Sequence, residues 1–473
     1  MITSTTDLLG ATKEMTARDA VTLLTEKQIE IPSWADKLER EYNPLKHPVF
    51  DRASYPDIVT KEGVERVSRI PLPYQQLAAR RLTEMCFAIP PTIEWDTHGD
   101  EAEAEVARVI ESVLARNFYD ALNIKRGNQL YSSCEIMTLW YPVSSANTLY
   151  GVESDYKLRC QTFSPSNGSK IYPIFDEVTG DLTALSVMSE TTTKSGPNDM
   201  IRKTRILDAY SADLHVRYKT DPTTGGWEEV EREPIRTGKI PAVYRWRATP
   251  AWEEHSNLVY EMEWTLSRNA NYLRKNSRPV LMVKAGTVID FGQEPSEVKA
   301  SRSVFQTPND GDMRYVTWQQ PIEPLKYQMD TLRQEFFTLL QLPDLSYSNL
   351  RNNVLSGEAM KQMLTDAALK VGDESGDWIE FLTREISVIK SFLPLIMGKR
   401  YTTAINSLGV DITLNPYVKA DEGEDIRNIA TAVQNKLISR EEGIRKLGWS
   451  KDVAETERKI LEEAQADAME PAF

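Results

Sequence analysis

The sequence predicts an α+β fold, and two observations carry that expectation. Helical periodicity governs long stretches on both sides of the chain's middle, whereas between residues 154 and 250 the period switches to the alternation of strands. Those strands follow one another between turn signals such as SPSNGS, EVTGD and TDPTTGG, the pattern of an antiparallel, meander-like region. At 473 residues the chain is longer than one compact core usually needs, so roughly two to four domains are expected.

Taken in order, residues 1–60 read as an adaptable leader. A first helix follows Thr16 and is ended by Pro32, and EYNPLKHPVF is proline-broken and extended. Residues 66–93 read as a strand, a helix opening near Pro73, and a Pro-Pro exit into another strand. Residues 100–126 form a periodic helix with Ala104, Val106, Val109, Ile110, Val113 and Leu114 on one face. A further segment at 118–132 runs into the apolar strand EIMTLWYPV.

After the strand region, residues 254–278 form a long helix with Leu258, Met262, Leu266, Asn269 and Leu273 on one stripe. A compact β segment occupies 279–320. A second long helix begins near Ile322, where Leu325, Met329, Leu332, Phe336 and Leu339 make a seam for another helix. The middle of the chain is therefore a helical hairpin with a β head. Its last apolar run, FFTLLQL, is open to two readings, core or hairpin surface. Pro343 ends that helix, and the polar loop PDLSYSNLRNNV leads to Ser356 and Gly357, where Ser356 is placed to cap a helix over 357–397. The run GDESGD at 372–377 predicts a kink or short break in it. VDITLNPYV reads as a strand. The tail is helical, with a capping box at Ser439-Arg440-Glu441-Glu442 and a stop at Gly448.

Composition narrows the function. With 41% hydrophobic and 27% charged residues the chain is neither fibrous nor low-complexity. No stretch approaches the about 18 uncharged apolar residues of a membrane span, and the N-terminus lacks a basic-then-apolar signal pattern. Cys86, Cys134 and Cys160 are widely spaced and odd in number, which fits reduced thiols better than a disulfide framework or a zinc knuckle. The net charge of −14 opposes tight binding of nucleic acid, so any contact with DNA is expected to be loose or local.

No catalytic constellation stands out. His47, His98, His215 and His255 are scattered, without HExxH spacing or a matching cysteine set, and no metal site is expected. There is no GxxxxGK[ST], no GxGxxG after a strand and no GxSxG, so neither a cofactor nor a catalytic residue is assigned. Ser356-Gly357 reads as a helix cap rather than a nucleophile. Acidic pairs are plentiful, but without a fold that gathers two in a cleft they carry no hydrolase assignment. The tryptophans and tyrosines lie mostly in alternating segments and read as packing residues. The cluster Arg268, Arg274, Lys275 and Arg278 ends a helix, where cations are favoured in any case.

The order of these segments resembles that of the portal proteins of tailed double-stranded DNA phages, nearest to those of long-tailed phages. Three patterns carry the resemblance: SGEAMK at 356–361, LISREEGIRKLGW followed by ETERKILEE near the C-terminus, and RVSRIPLPYQQLAARRLTEMCFAIPP from residue 66. Together they span roughly residues 60–465. The resemblance implies a ring subunit, a dodecamer in its usual form, built of wing, stem, clip and crown. The wing would be residues 1–253 together with the long helix, the stem 254–278 and 322–341, the clip 279–321, and the crown 420–473. Residues 342–419 would hold the tunnel loop, the kinked wing helix and a strand. Tyr347, Asn349, Leu350, Arg351, Asn352 and Asn353 would face the DNA channel, with Ser356 and Gly357 capping the wing helix. Leu258, Met262, Leu266, Leu325, Met329, Leu332 and Phe336 would pack the stem, and Glu294, Glu297, Lys299 and Arg302 would dock partners at the clip.

The implied function is a channel at one capsid vertex for genome packaging and ejection, without enzymatic activity. Its partners would be further copies of itself, the terminase large subunit, a head–tail adaptor or connector, major capsid and scaffold proteins, and double-stranded DNA read without sequence preference; no membrane is involved. The protein would sit in the virion after assembly in the host cytoplasm. A net acidic subunit suits a channel through which phosphates must slide. Two readings compete: another ring-forming head–tail or minor capsid component, and a hydrolase using an acidic pair. A sequence-specific DNA-binding protein is disfavoured by the charge.

Overall fold

The computed structural model describes residues 7–60, 63–176, 178–195, 200–276, 280–283, 313–316, 322–344, 364–414, 422–448 and 453–469. The chain opens with α1 (Asp7–Ala11) and α2 (Ala17–Leu24), the latter capped by the Thr16 side chain, which accepts from the Asp19 N–H. A wide helical turn at Trp34–Leu38 runs into α3 (Glu39–Tyr42), and single 3-10 turns follow at Pro44–Lys46 and Pro48–Phe50. The expected extended stretch is thus a pair of turns. Each proline sits first in its turn, where a missing N–H costs nothing.

β1 (Ile58–Thr60) and β2 (Gly63–Glu65) form a small hairpin. Then come α4 (Tyr74–Phe87), β3 (Thr92–Asp96), α5 (Glu101–Arg116) and α6 (Tyr119–Ser133). The helix expected over 100–126 ends early, because the Asn117 side chain donates to the Val113 carbonyl and Phe118 adopts a left-handed φ of 52°. The α5 face read from the sequence is real: Val106, Val109, Ile110, Val113 and Leu114 are all buried.

Two antiparallel sheets follow. β4 (Glu135–Asn147) lies between β5 (Ser154–Phe163) and β11 (Ala242–Trp246). β6 (Lys170–Phe175), β7 (Leu182–Ser195), β8 (Met200–Tyr210), β9 (Leu214–Thr220) and β10 (Trp227–Pro234) form a meander in sequence order. The strand region expected as one meander is therefore divided: its first and last strands leave it to flank β4. The long helix α7 (Ser256–Asn276), the antiparallel pair β12 (Val280–Val283) and β13 (Met313–Val316), and α8 (Ile322–Leu339) come next. The 32-residue helix α9 (Thr365–Ile396) precedes a short helix, Thr402–Ser407, and β14 (Gly409–Thr413), which pairs with β3. Three helices close the chain, Glu422–Gln434, Arg440–Leu447 and Val453–Met469. The expected capping box forms between Ser439 and Glu442, and Gly448 ends its helix at φ 67°.

The main core gathers around α9, whose Val371, Trp378, Phe381, Leu382, Ile386, Ile389 and Leu393 meet α4, α5, α6 and β4. Two smaller cores serve the sheets. Leu9, Ala20, Val21 and Leu24 lie under the meander against Leu207, Val216 and Tyr218, and Met137, Leu139, Leu185 and Val187 fill the space between the sheets. The described part of the leader is therefore built into the body, and residues 7–60 are a structural layer rather than a free arm. Their packing depends on partners far along the chain, such as Leu207, Val216 and Tyr218.

β4 opens on Glu135, which is 4% exposed and accepts from the Tyr244 hydroxyl at 3.1 Å. Burial pushes its carboxyl up to about 7, against smaller opposing effects of the Lys27 charge and the Tyr244 hydrogen bond. A carboxyl raised by folding adds stability while it stays protonated and loses it as pH climbs through the folded value. Glu135→Gln is therefore expected to match the wild type only at about pH 4 and below, where the carboxyl is protonated in the unfolded chain too. Above pH 7 it should be the more stable protein, by about 3 kcal/mol at the plateau. Urea unfolding followed from pH 4 to 8 checks this, and parallel curves for the two proteins would refute it.

Candidate functional site

The helical hairpin read from the sequence is present and antiparallel: Val259 and Met262 near the start of α7 share a core with Phe336, Phe337 and Leu340 near the end of α8. At about 1.5 Å per residue, the 21-residue α7 and the 18-residue α8 are about 30 and 27 Å long. The β12–β13 pair joins their far ends. The FFTLLQL run resolves to core, since Phe336, Phe337, Leu340 and Leu342 are buried.

The hairpin residues named from the sequence divide along this axis. Met262 and Phe336 are fully buried, Leu258, Met329 and Leu332 pack against the core, and Leu266 and Leu325 are half-buried. The inward stripe of α7 is rotated from the expected one: Leu273 is 52% exposed, while Glu263, Ser267 and Asn271 are buried. These three polar residues stand four apart on one face and receive the extended segment 66–72. Glu263 Oε1 accepts from the Leu72 N–H at 2.7 Å, Ser267 Oγ from the Ile70 N–H at 3.0 Å, and Asn271 Oδ1 from the Ser68 N–H at 2.6 Å. One turn on, Arg274 donates to the Arg66 carbonyl.

Two periods coincide in this ladder. Four helical residues rise about 6 Å and two extended residues about 6.6 Å, so every second strap N–H finds the next acceptor. The helix thus stands in for a neighbouring strand, satisfying backbone groups that burial would otherwise leave at a cost. Glu263 Oε1 also meets His47 Nδ1 at 2.6 Å, and His47 Nε2 lies 2.8 Å from the Glu41 carbonyl. Both side chains of the His47–Glu263 pair are fully buried. The Asn271 amide donates to the Tyr55 hydroxyl, and the Trp252 indole N–H to the Glu41 carboxylate. The N-terminal layer is in this way fastened along α7.

At the base of the hairpin a single cation joins three elements. Lys370 of α9 is 7% exposed, and its ammonium donates to the Leu340 carbonyl at 2.7 Å and to the Glu253 carboxylate at 3.0 Å. It therefore caps the C-terminal end of α8, where backbone carbonyls lack partners and positive charge is favoured. Glu253 lies just ahead of α7, and its own backbone sits at a left-handed φ of 50°.

Two buried ionic networks hold α9 against the body. Glu385 receives both ends of the Arg126 guanidinium at 2.8 Å, the Tyr119 hydroxyl at 3.0 Å and the Trp140 indole N–H at 2.9 Å. Neither charged side chain has any exposure. The guanidinium also lies 4.8 Å from the centre of the Phe381 ring. One turn before Trp378 in α9, Glu374 accepts from Arg245 at 3.0 Å and Arg247 at 2.8 Å, and Arg245 stacks 4.1 Å over the Trp378 ring. Trp378 in turn donates to the Tyr131 hydroxyl.

These contacts overturn the break expected at 372–377: α9 runs through it without interruption. Its two glycines lower helix propensity locally, but Glu374 turns inward onto two arginines and the tertiary contacts prevail. Nothing in the local sequence marks Arg126, Lys370 or Glu385 as buried, and Glu374 lies in the run expected to break the helix. One local signal was available for α7, the four-residue spacing of Glu263, Ser267 and Asn271.

The loop residues Tyr347, Asn349, Leu350, Arg351, Asn352 and Asn353, the cap residues Ser356 and Gly357, and Glu294, Glu297, Lys299 and Arg302 lie outside the described residues. Among the described residues, no group of three or more His, Cys, Asp or Glu side chains is placed to hold a metal ion. Among them too, no helix is long and apolar enough to cross a membrane.

A subunit whose long helical hairpin is rooted in an α+β body, with a β pair at its tip and a helical tail, is the class that this geometry defines. The chain matches the family described as phage portal protein, SPP1 Gp6-like, over residues 25–470, and it belongs to that family. Among solved structures it is similar to a chain in the neck of an empty GTA particle computed with C6 symmetry. That likeness has 13% identity and a TM-score of 0.42, and covers 89% of this chain and 94% of the other. No curated protein matches it.

Proposed function

We propose that the protein is the subunit of a portal ring at one vertex of a phage head, forming the channel through which the genome enters during packaging and leaves on ejection. The observation that carries this reading is the antiparallel α7–α8 hairpin, anchored in the core at one end and bearing β12–β13 at the other, within a chain that belongs to the portal family. In this reading residues 1–253 with α9 are the wing, 254–278 and 322–341 the stem, 279–321 the clip and 420–473 the crown. The clip serves the terminase large subunit first and the head–tail connector afterwards, while capsid and scaffold proteins meet the ring from outside. The protein acts as a structural part of the virion, and a separate ATPase drives the DNA.

The Lys370 clamp gives the channel reading a physical basis. The segment between α8 and α9 carries Asn349, Arg351, Asn352 and Asn353, and the Lys370 ammonium ties α9 to the Leu340 carbonyl at the end of α8. Polar groups mounted there suit brief contacts with passing phosphates, which a deep binding well would stall.

Light scattering with negative-stain microscopy of the full-length protein tests the architecture. A large ring with a central hole is the expected result, and a compact dimer with a cleft would overturn it in favour of the acidic-pair hydrolase. Arg351→Glu is expected to impair packaging or DNA retention while leaving the ring intact. Normal packaging by that variant would remove Arg351 from the mechanism.

A further inference from the structure

The meander ends in a ribbon that outruns its neighbours. β6 pairs with β7 only as far as Lys170↔Met188, and β9 pairs with β8 only from Ile206↔Lys219. β7 and β8 nevertheless continue to pair with each other from Glu190↔Arg205 to Ser195↔Met200. At about 3.3 Å per residue this two-stranded ribbon extends about 20 Å past the sheet. Beyond Arg205, whose backbone still meets the Thr220 hydroxyl of β9, no strand among the described residues lies beside either of its outer edges. A two-stranded ribbon is marginally stable by itself, and open edges invite pairing.

Charge indicates what the ribbon meets. Residues 189–205 carry Lys194, Arg202, Lys203 and Arg205 against Glu190 and Asp199, a net positive stretch in a chain of net charge −14. The Lys203 and Arg205 side chains are 66% and 60% exposed and, among the described residues, share only Glu190 as an ion-pair partner. One edge of the same sheet has the complementary character. β10 is an edge strand bearing Glu228, Glu229, Glu231 and Glu233 against Arg232. Arg232 is taken by Glu229 and Arg217 by Glu231, while the exposed Glu228 and Glu233 form no ion pair among the described residues. Between them the register shifts, and Val230 is 55% exposed.

We infer that the β7–β8 ribbon of one copy docks along the acidic β10 edge of a neighbouring copy, using Lys203 and Arg205 against Glu228 and Glu233. The ribbon leaves the sheet along the strand direction, whereas the outer edge of β10 faces sideways, two strands from β8. The ribbon therefore does not reach the β10 edge of its own sheet. A contact between two different surfaces of identical chains repeats head to tail, and it closes into a ring when the rotation between neighbours divides a full turn. The inference rests on the ring reading above and names one of its subunit contacts.

Carboxylate–amine zero-length crosslinking of the full-length protein, mixed from isotopically light and heavy copies, tests it directly. The expected product is a light–heavy peptide pair joining Lys203 to Glu228 or Glu233. The double variant Lys203→Glu/Arg205→Glu is expected to lower the assembled fraction about tenfold, through like charges set across the contact. Adding Glu228→Lys/Glu233→Lys should restore it. Undiminished assembly by the first variant, with no light–heavy product in the wild type, overturns the contact and leaves the ring reading standing. Undiminished assembly with lost retention of a mixed-sequence DNA duplex overturns it in favour of a nucleic-acid role for the ribbon. A wild-type chain that stays monomeric overturns the ring reading, and this contact with it.

Discussion

Arg126→Met is expected to cost about 3–5 kcal/mol of folding stability, because it leaves the Glu385 carboxylate buried without its cation. The arginine supplies two of the four hydrogen bonds that Glu385 receives, and no part of either side chain reaches solvent. Replacing both charges, as in Arg126→Met/Glu385→Leu, should recover part of the loss. Recovery stays incomplete because the Tyr119 hydroxyl and the Trp140 indole N–H then lack an acceptor, at about 1–3 kcal/mol for each group left unpaired. Urea midpoints of the two single variants and the double variant give the coupling energy. Additive effects would show that the pair does not act as a unit. The position of the pair explains the size of the effect: it joins α6 and β4 to the middle of α9, the helix around which the main core is organised.

Glu263→Leu is expected to be comparably damaging, at about 3–5 kcal/mol, since it strips a buried partner from His47 and an acceptor from the Leu72 N–H at one stroke. The damage should also be local in a recognisable way. With the first rung of the ladder gone, segment 66–72 loosens from α7, and limited proteolysis should cut there at a denaturant concentration that leaves the rest folded. Glu263→Gln keeps one acceptor oxygen and should retain much of the ladder. Equal protease resistance in Glu263→Leu and the wild type would show that apolar packing, and not the ladder, holds the segment. If the strap fastens the N-terminal layer to the stem, as the portal reading has it, loosening it should also reduce ring assembly.

Several features were legible in the residues because their causes are local. The apolar face of α5 follows from spacing alone, and Thr16, Ser439 with Glu442, and Gly448 cap their helices through groups at most four residues apart. The order of strands, hairpin and helical tail, which carried the family resemblance, was legible for the same reason. Other features depend on groups far apart in the chain. Glu374, amid glycines, aspartates and a serine, reads as part of a helix break until Arg245 and Arg247 approach it. Glu385 and Lys370 read as solvated charges until Arg126 and the end of α8 surround them.

The sequence by itself determined the class of the fold, the positions of most helices and strands, and the family to which the chain belongs, because periodicity, caps and turn residues act within a few residues. Only the tertiary structure decided which face of α7 turns inward, whether α9 runs unbroken, and whether residues 7–60 join the body. Each of those depends on a polar side chain being buried, and burial is tolerable only once partners from distant segments have converged to satisfy it.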